Sequence, residues 1–391
     1  MEIVIKKGRE SVLDRNHQWV FSGAVAKINS KIIDGDFVQL HDYKGNVLAH
    51  GHFHHGSIAV RILGNSDQNN FEQIIKQKFQ KAFDYRKLLN FINNKSTNCF
   101  RFIHGEGDGL SGLIIDIYDS VAVIQCHTVG MHRSIQLIVN QLELVFGNLL
   151  TTIYDKSKEA LPEQYAQKIE NTFYKGNETQ KWVLENDLKL EVNWVTGQKT
   201  GFFIDQRDNR KLIIQYAKDR NVLNTFCYSG GFSLFALEAG ANRVDSVDVS
   251  AKAIELCKNN IYENFPNSVN HAEYVADVMV WLKENKQIYD LIVVDPPAFA
   301  KSIDKRHNAV QAYKRLNLLA LQSLAPKGII FTFSCSQVVD KQLFYDTIVA
   351  AAIESKRNIR VLHFLNQPPD HPINIFHPEG SYLKGLVIYV E

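Results

Sequence analysis

The sequence predicts an α/β protein: a doubly wound, mostly parallel sheet in the C-terminal half, a β-rich N-terminal part, and a central α+β segment between them. Three observations carry this. From Asn221 to Gln337, short apolar runs alternate with amphipathic stretches, the strand-helix rhythm of parallel strands joined by crossover helices. Up to Leu63, apolar and polar residues alternate, with Gly45, Gly51 and Gly56 between short runs, as in a small antiparallel sheet or barrel. Between these regions the periodicity turns helical from Phe71 to about Asn90.

Taken in order, the segment 64–70 (GNSDQNN) is polar and turn-rich, so it marks a boundary. CFRFIHG and GLIIDIYDSVAVIQC read as strands on either side of EGDGLSG, and HRSIQLIVNQLELVFG reads as a helix. DKSKEALPEQ and YKGNET read as loops. In the last part, NVLNT, RVDSVD, AEYVADV, YDLIVV and GIIFTF are strands. The helices are FSLFALEAG, SAKAIELCKNNIYENF with Ser250 as N-cap, VMVWLKENK, and YKRLNLLALQSLAPKG. The expected domains are 1–63, 71–185 and 186–391. In such sheets ligands bind beyond the C-terminal strand ends. The loops found there are CYSGG, DVS, DVM, DPPAF and SCSQ.

Composition narrows the function. With 44 basic and 42 acidic residues in 391, the net charge of +2 excludes a protein held to nucleic acid by bulk charge, but not one with a local basic edge. Lys6, Lys7, Arg9 and Arg15 form such an edge. No run reaches the ~18 apolar residues of a membrane span, and MEIVIKKGRE lacks the apolar core of a secretory signal. Five cysteines without a CxxC pair argue against a zinc ribbon or a dithiol redox motif, and suggest reduced thiols in a cytoplasmic chain. His50, His52 and His54 share a strand face, yet no carboxylate or thiol completes a metal set at convincing spacing, so no metal is expected.

Five motifs point to chemistry. NTFCYSGGFS puts glycines at a strand-to-helix turn, where backbone can approach a ligand. Gly230 and Gly231 are adjacent, so the turn is not the GxGxxG of a dinucleotide site, which argues against a nicotinamide oxidoreductase. Asp248 ends the next strand 18 residues after Gly230, near the ~20 expected of a ribose-binding acid, although an acid there also caps helices. In DPPAF, two prolines fix the chain behind Asp295 and Phe299. Cys335 leaves an apolar strand between two serines, where a thiol can act as a nucleophile or simply pack. TGQKTGFFIDQRDNR crowds polar and aromatic groups that are costly to bury without a ligand.

HGEGDGLSGLIIDIY, TGQKTGFFIDQRDNR, NTFCYSGGFSLFA, DPPAF, FTFSCS and HPEGSYLKG together give a resemblance over nearly the whole chain. The chain resembles the class I S-adenosylmethionine-dependent RNA methyltransferases, and more closely the large-subunit ribosomal RNA cytosine-5 methyltransferase I family. CYSGG departs from the family's Tyr-Thr-Gly-Gly only at Ser229, which keeps the hydroxyl. The resemblance implies a Rossmann-like methyltransferase domain behind an N-terminal PUA domain, with S-adenosylmethionine as cofactor. It implies that Asn224, Phe226, Tyr228, Gly230, Gly231 and Pro296 contact the cofactor, and that Asp248 takes the ribose hydroxyls. Asp277 would lie beside the adenine, and Phe203, Asp205 and Gln206 would close over the methionine end. Cys335 matches the nucleophile.

Cytosine carbon 5 becomes nucleophilic only after a thiolate adds to carbon 6, which calls for a cysteine with a pKa below the free ~8.5. An acid must hydrogen-bond the N3/N4 edge, a role assigned to Asp295. Phe299 and the basic edge would face the RNA. The expected partner is 23S ribosomal RNA, with its target base extruded into a pocket; a homodimer is a possible assembly. The rival reading is N-methylation of a purine by the same DPPAF loop, which would not need Cys335. A non-catalytic RNA-binding module is disfavoured by the complete cofactor set.

Overall fold

The computed structural model describes residues 1–10, 13, 15–28 and 31–391. The chain forms two compact units. The first takes Met1–Leu184, Val192–Ile204 and Pro369–Gly380; the second takes Glu185–Glu191, Asp205–Pro368 and Ser381–Glu391.

The first unit opens with a six-stranded sheet in the order Trp19–Phe21, Ile58–Asn65, Val47–Phe53, Phe37–His41, Glu2–Ile5, Val25–Ile28. Its pairs are antiparallel except Glu2–Ile5 with Phe37–His41. The alternation read from the sequence turns Ile3, Ile5, Val38, Leu40 and Val60 into one core. Asn70 then caps the helix Phe71–Leu88, its side chain accepting from the Gln73 N–H at 3.2 Å. That helix buries Ile74, Ile75, Phe79 and Ala82 with a five-stranded sheet ordered Thr172–Lys175, Thr152–Asp155, Val121–Cys126, Leu113–Tyr118, Cys99–His104. GLIIDIYDSVAVIQC is therefore a hairpin, turned at Asp119 with φ 57°. Tyr174 and Lys175, read as loop, end an edge strand.

The helix also buries Arg86 completely. Its guanidinium pairs with Asp108, and donates to the Arg101 carbonyl at 2.9 Å and the Asp370 carbonyl at 2.9 Å. The Asp370 carboxylate accepts from the Arg101 N–H at 2.9 Å. A buried cation is tolerated only when hydrogen-bonded in this way.

The second unit is a seven-stranded sheet ordered His271–Val275, Arg243–Asp248, Asn221–Thr225, Tyr289–Val294, Leu324–Ser334, Lys384–Val390, Ile359–Leu365. The first five strands are parallel and Lys384–Val390 is antiparallel to its neighbours. Ser250 caps the helix Ala251–Asn264 as the sequence predicts. The helix after DPPAF begins at Arg306, not Tyr313, and stops at Gln322; LAPKG already belongs to the next strand. Pro326 has no N–H to continue a helix, and the strand accommodates it with a register shift opposite Tyr289–Leu291. The order reverses between Asn221–Thr225 and Tyr289–Val294, which puts the strand-end crevice beside the glycine turn. Among the described residues no helix is long and apolar enough to cross a membrane, and all five cysteines are free thiols.

Candidate functional site

The glycine turn is conformationally demanding. Phe226, Tyr228 and Gly230 all have positive φ, at 53°, 46° and 76°. Left-handed backbone at two bulky residues costs of order 1–3 kcal/mol each, and persists only where the surroundings enforce it. A Cβ on Gly230 would sit 2.4 Å from the Cys257 sulfur, so only glycine fits there. Asp248 supplies part of the enforcement: one carboxylate oxygen accepts from the Tyr228 N–H at 3.0 Å, the other from the Ser250 N–H at 2.9 Å. A carboxylate has about four lone-pair sites, so roughly two stay open for a vicinal diol.

Beneath the turn runs a buried polar relay. Asn224 Nδ2 donates to Ser233 Oγ at 2.8 Å, Ser233 Oγ meets Ser246 Oγ at 2.7 Å, and Ser246 Oγ meets His271 Nε2 at 2.8 Å. Asn224 is buried, and its amide group supports the turn from below. Asp277, exposed at the next strand end, caps the helix Val278–Glu284 by accepting from the Val280 N–H at 3.0 Å. Gly231 starts the helix that follows the turn.

Asp295 follows the strand Tyr289–Val294, with buried Pro296 behind it. Burial first, and the Asp205 charge second, push its carboxyl up to about 7; a hydrogen bond from Gln206 pulls the other way. Asn209 donates to Gln206 Oε1 at 2.7 Å, which turns the Gln206 amide N–H groups toward Asp295. Asp205 is itself held by the Tyr382 hydroxyl at 2.7 Å. Phe299 packs its ring 4.7 Å from that of Tyr313. Phe203 belongs to the first unit, so of that predicted trio only Asp205 and Gln206 are placed here.

Cys335 lies just past the strand Leu324–Ser334 and is partly exposed. Its thiol is pushed up to about 11 by burial, then by the charges of Asp295 and Asp205, with Lys384 opposing. This corrects the sequence expectation of a thiol below its free value: with the carboxylates ionised, the group is a protonated thiol at neutral pH. Lys384 is buried, donates to the Ser336 carbonyl at 2.7 Å, and is itself pushed down to about 8 by burial.

Sequence reasoning missed Tyr382, Lys384 and Tyr313. The first two lie in SYLKG, which carried the resemblance without being given roles. Tyr313 is fully buried, its ring packed against those of Phe299 and Phe344. Lys6, Lys7, Arg9 and Arg15, in the first unit, are all exposed; Lys6 donates to the Gly23 carbonyl at 2.9 Å and Lys7 lies 5.2 Å from the centre of the Tyr43 ring.

The family model for S-adenosylmethionine-dependent methyltransferases matches residues 101–386, and that for PUA-like domains matches residues 3–65. Strand order and strand-end site thus define an S-adenosylmethionine-dependent methyltransferase with an N-terminal PUA-like domain. A ribosomal RNA large subunit methyltransferase I from Photobacterium profundum is 36% identical, over 100% of this chain and 99% of its own. One from Vibrio campbellii is 36% identical, with 99% of each covered. The chain belongs to the ribosomal RNA large subunit methyltransferase I family. Among solved structures, a methyltransferase complexed with SAH superposes with a TM-score of 0.86 at 25% identity, covering 100% of both chains. A Streptococcus mutans chain gives 0.85 at 24% identity over the same extent.

Proposed function

We propose that this enzyme methylates carbon 5 of a cytosine in large-subunit (23S) ribosomal RNA through a covalent adduct with Cys335. The substrate class rests on what the relatives are named for, and on a PUA-like domain with an exposed basic edge. The chemistry rests on one observation: a cysteine and a carboxyl share the end of the sheet closely enough for the Asp295 charge to raise the Cys335 thiol. We assign residues 1–63 to RNA docking, 71–185 to the central domain and 186–391 to methyl transfer, in a cytoplasmic enzyme.

S-adenosylmethionine supplies an electrophilic methyl group. Asp248 binds the ribose hydroxyls. Phe226, Tyr228, Gly230, Gly231 and Pro296 line the cofactor cleft, with Asn224 bracing it, Asp277 near the adenine, and Asp205 and Gln206 at the methionine end. Protonated Asp295 donates to the N3/N4 edge of the cytosine while Phe299 packs on the base. Burial is the main cause of the raised thiol, but a proton on Asp295 removes one of the charges that add to it, so the same protonation favours a Cys335 thiolate. The thiolate adds to carbon 6, which makes carbon 5 nucleophilic. After methylation the carbon 5 proton leaves and the sulfur–carbon bond breaks.

The test is RNA carrying 5-fluorocytosine at the target position. Fluorine cannot leave as a proton does, so wild-type enzyme is trapped covalently. Cys335→Ser gives no adduct and turns over slower by orders of magnitude, while cofactor affinity stays within a few-fold. Near-normal methylation by Cys335→Ser with no wild-type adduct would overturn the proposal and favour purine N-methylation.

A further inference from the structure

The segment HPEG, just before SYLKG, has no role in the reaction proposed above. In the first unit it places His377 and Glu379 beside His17. His17 Nε2 lies 3.3 Å from each Glu379 carboxylate oxygen, and His377 Nδ1 lies 3.7 Å from Oε2. One donor atom from each of the three residues falls within 4.8 Å of the others. We propose that His17, His377 and Glu379 form a binding site for a divalent transition-metal ion, with zinc the best match.

Ligand atoms about 2.0–2.1 Å from a tetrahedral zinc are about 3.3 Å apart, close to the 3.3 and 3.7 Å that separate the two imidazoles from Glu379. The second observation is His377 itself. It is 1% exposed, and its Nδ1 has no hydrogen-bond partner among the described residues. At 3.7 Å it does not reach Glu379 as a hydrogen bond. The surroundings orient the donors as outer partners do in metal sites. His17 Nδ1 sits 3.2 Å from both the backbone N and O of Trp19, which leaves Nε2 to face the cluster. The Trp19 ring packs edge-on 4.4 Å from His377, and its indole N–H donates to Glu106 at 2.9 Å. Two imidazoles and one carboxylate are the donor set of zinc with a fourth position for water. The partly exposed Glu379 leaves that position reachable. The bound ion joins the N-terminal sheet to a segment 362 residues away.

The experiment uses the full chain, stripped with a chelator and titrated with Co²⁺ and Zn²⁺. One Co²⁺ per chain should bind with visible d–d absorption, and Zn²⁺ should displace it. His17→Gln and Glu379→Gln should each weaken zinc binding about 100-fold or more, while metal-free unfolding stays near wild type. His377→Gln is not used, because a buried substitution can unfold the protein by itself. The proposal is overturned if the wild-type chain binds no zinc at about 100 µM metal. It is equally overturned if binding survives undiminished in both variants and is lost in His55→Gln, which would place the ion at the separate His55–Asp34 pair.

Discussion

Replacing Asp295 with asparagine should stabilise the protein at alkaline pH and inactivate it at every pH. The carboxyl sits at about 7 in the folded chain against 3.8 unperturbed. That is about 3 units, or a ceiling of roughly 4 kcal/mol at 1.36 kcal/mol per unit. Between pH about 4 and 7 the folded state holds a proton that the unfolded chain has released, so stability falls as pH rises across that window and is level above it. Asparagine has nothing to ionise and can still accept from Gln206. Because Asp295 is only partly shielded, the expected gain is about 2–3 kcal/mol at pH 8, vanishing near pH 4. Calorimetric unfolding of both proteins from pH 4.5 to 8.5 reads the difference directly. Methylation assays on the same samples should show a loss of about 100-fold or more, the usual scale of a missing general acid. A stability difference that does not change with pH, or a destabilised variant at pH 8, would refute the reasoning. Full activity would refute the assigned role.

Other substitutions separate the remaining parts. Asp248→Asn should weaken S-adenosylmethionine binding about 10- to 100-fold by calorimetry, since it disturbs a charge-assisted hydrogen bond that sets the turn. Glu185→Ala should destabilise by about 3–5 kcal/mol in urea unfolding, because it removes the buried carboxylate whose two oxygens the buried Arg210 guanidinium now bonds at 2.6 and 2.7 Å. Glu185→Leu with Arg210→Met should recover most of that loss. Alanine at Lys7, Arg9 and Arg15 together should weaken binding of ribosomal RNA fragments and lower the salt slope by up to about 2–3, with cofactor affinity unchanged.

The sequence displayed what depends on local pattern. The strand-helix rhythm, the Ser250 cap, the Gly230 turn and the positions of Asp248, Asp295 and Cys335 at strand ends all follow from periodicity and punctuation, and all stand in the structure. It was silent where a property depends on distant groups. The Cys335 thiol is raised by burial and then by Asp295 and Asp205, 40 and 130 residues away, and no local window contains those charges. The uses of Tyr382 and Lys384 became visible only when the last strand, antiparallel between two others, brought them to Asp205 and Ser336. The boundary error at Arg306 has a simpler origin: RHNAV is too polar to register as an apolar helix face, yet it opens the helix.

Arg86 has a consequence during synthesis. One of its carbonyl acceptors belongs to Asp370, 284 residues downstream. At ribosomal speeds of about 5–20 residues per second, roughly 15–60 s pass between the two emerging. Throughout that interval the nascent helix Phe71–Leu88 carries a guanidinium whose final acceptor does not yet exist, so its last turn stays hydrated or borrows other partners. The first unit cannot close vectorially from its N-terminus. It waits for Asp370 to be read, and a release of the chain before that residue would leave it open at this cation.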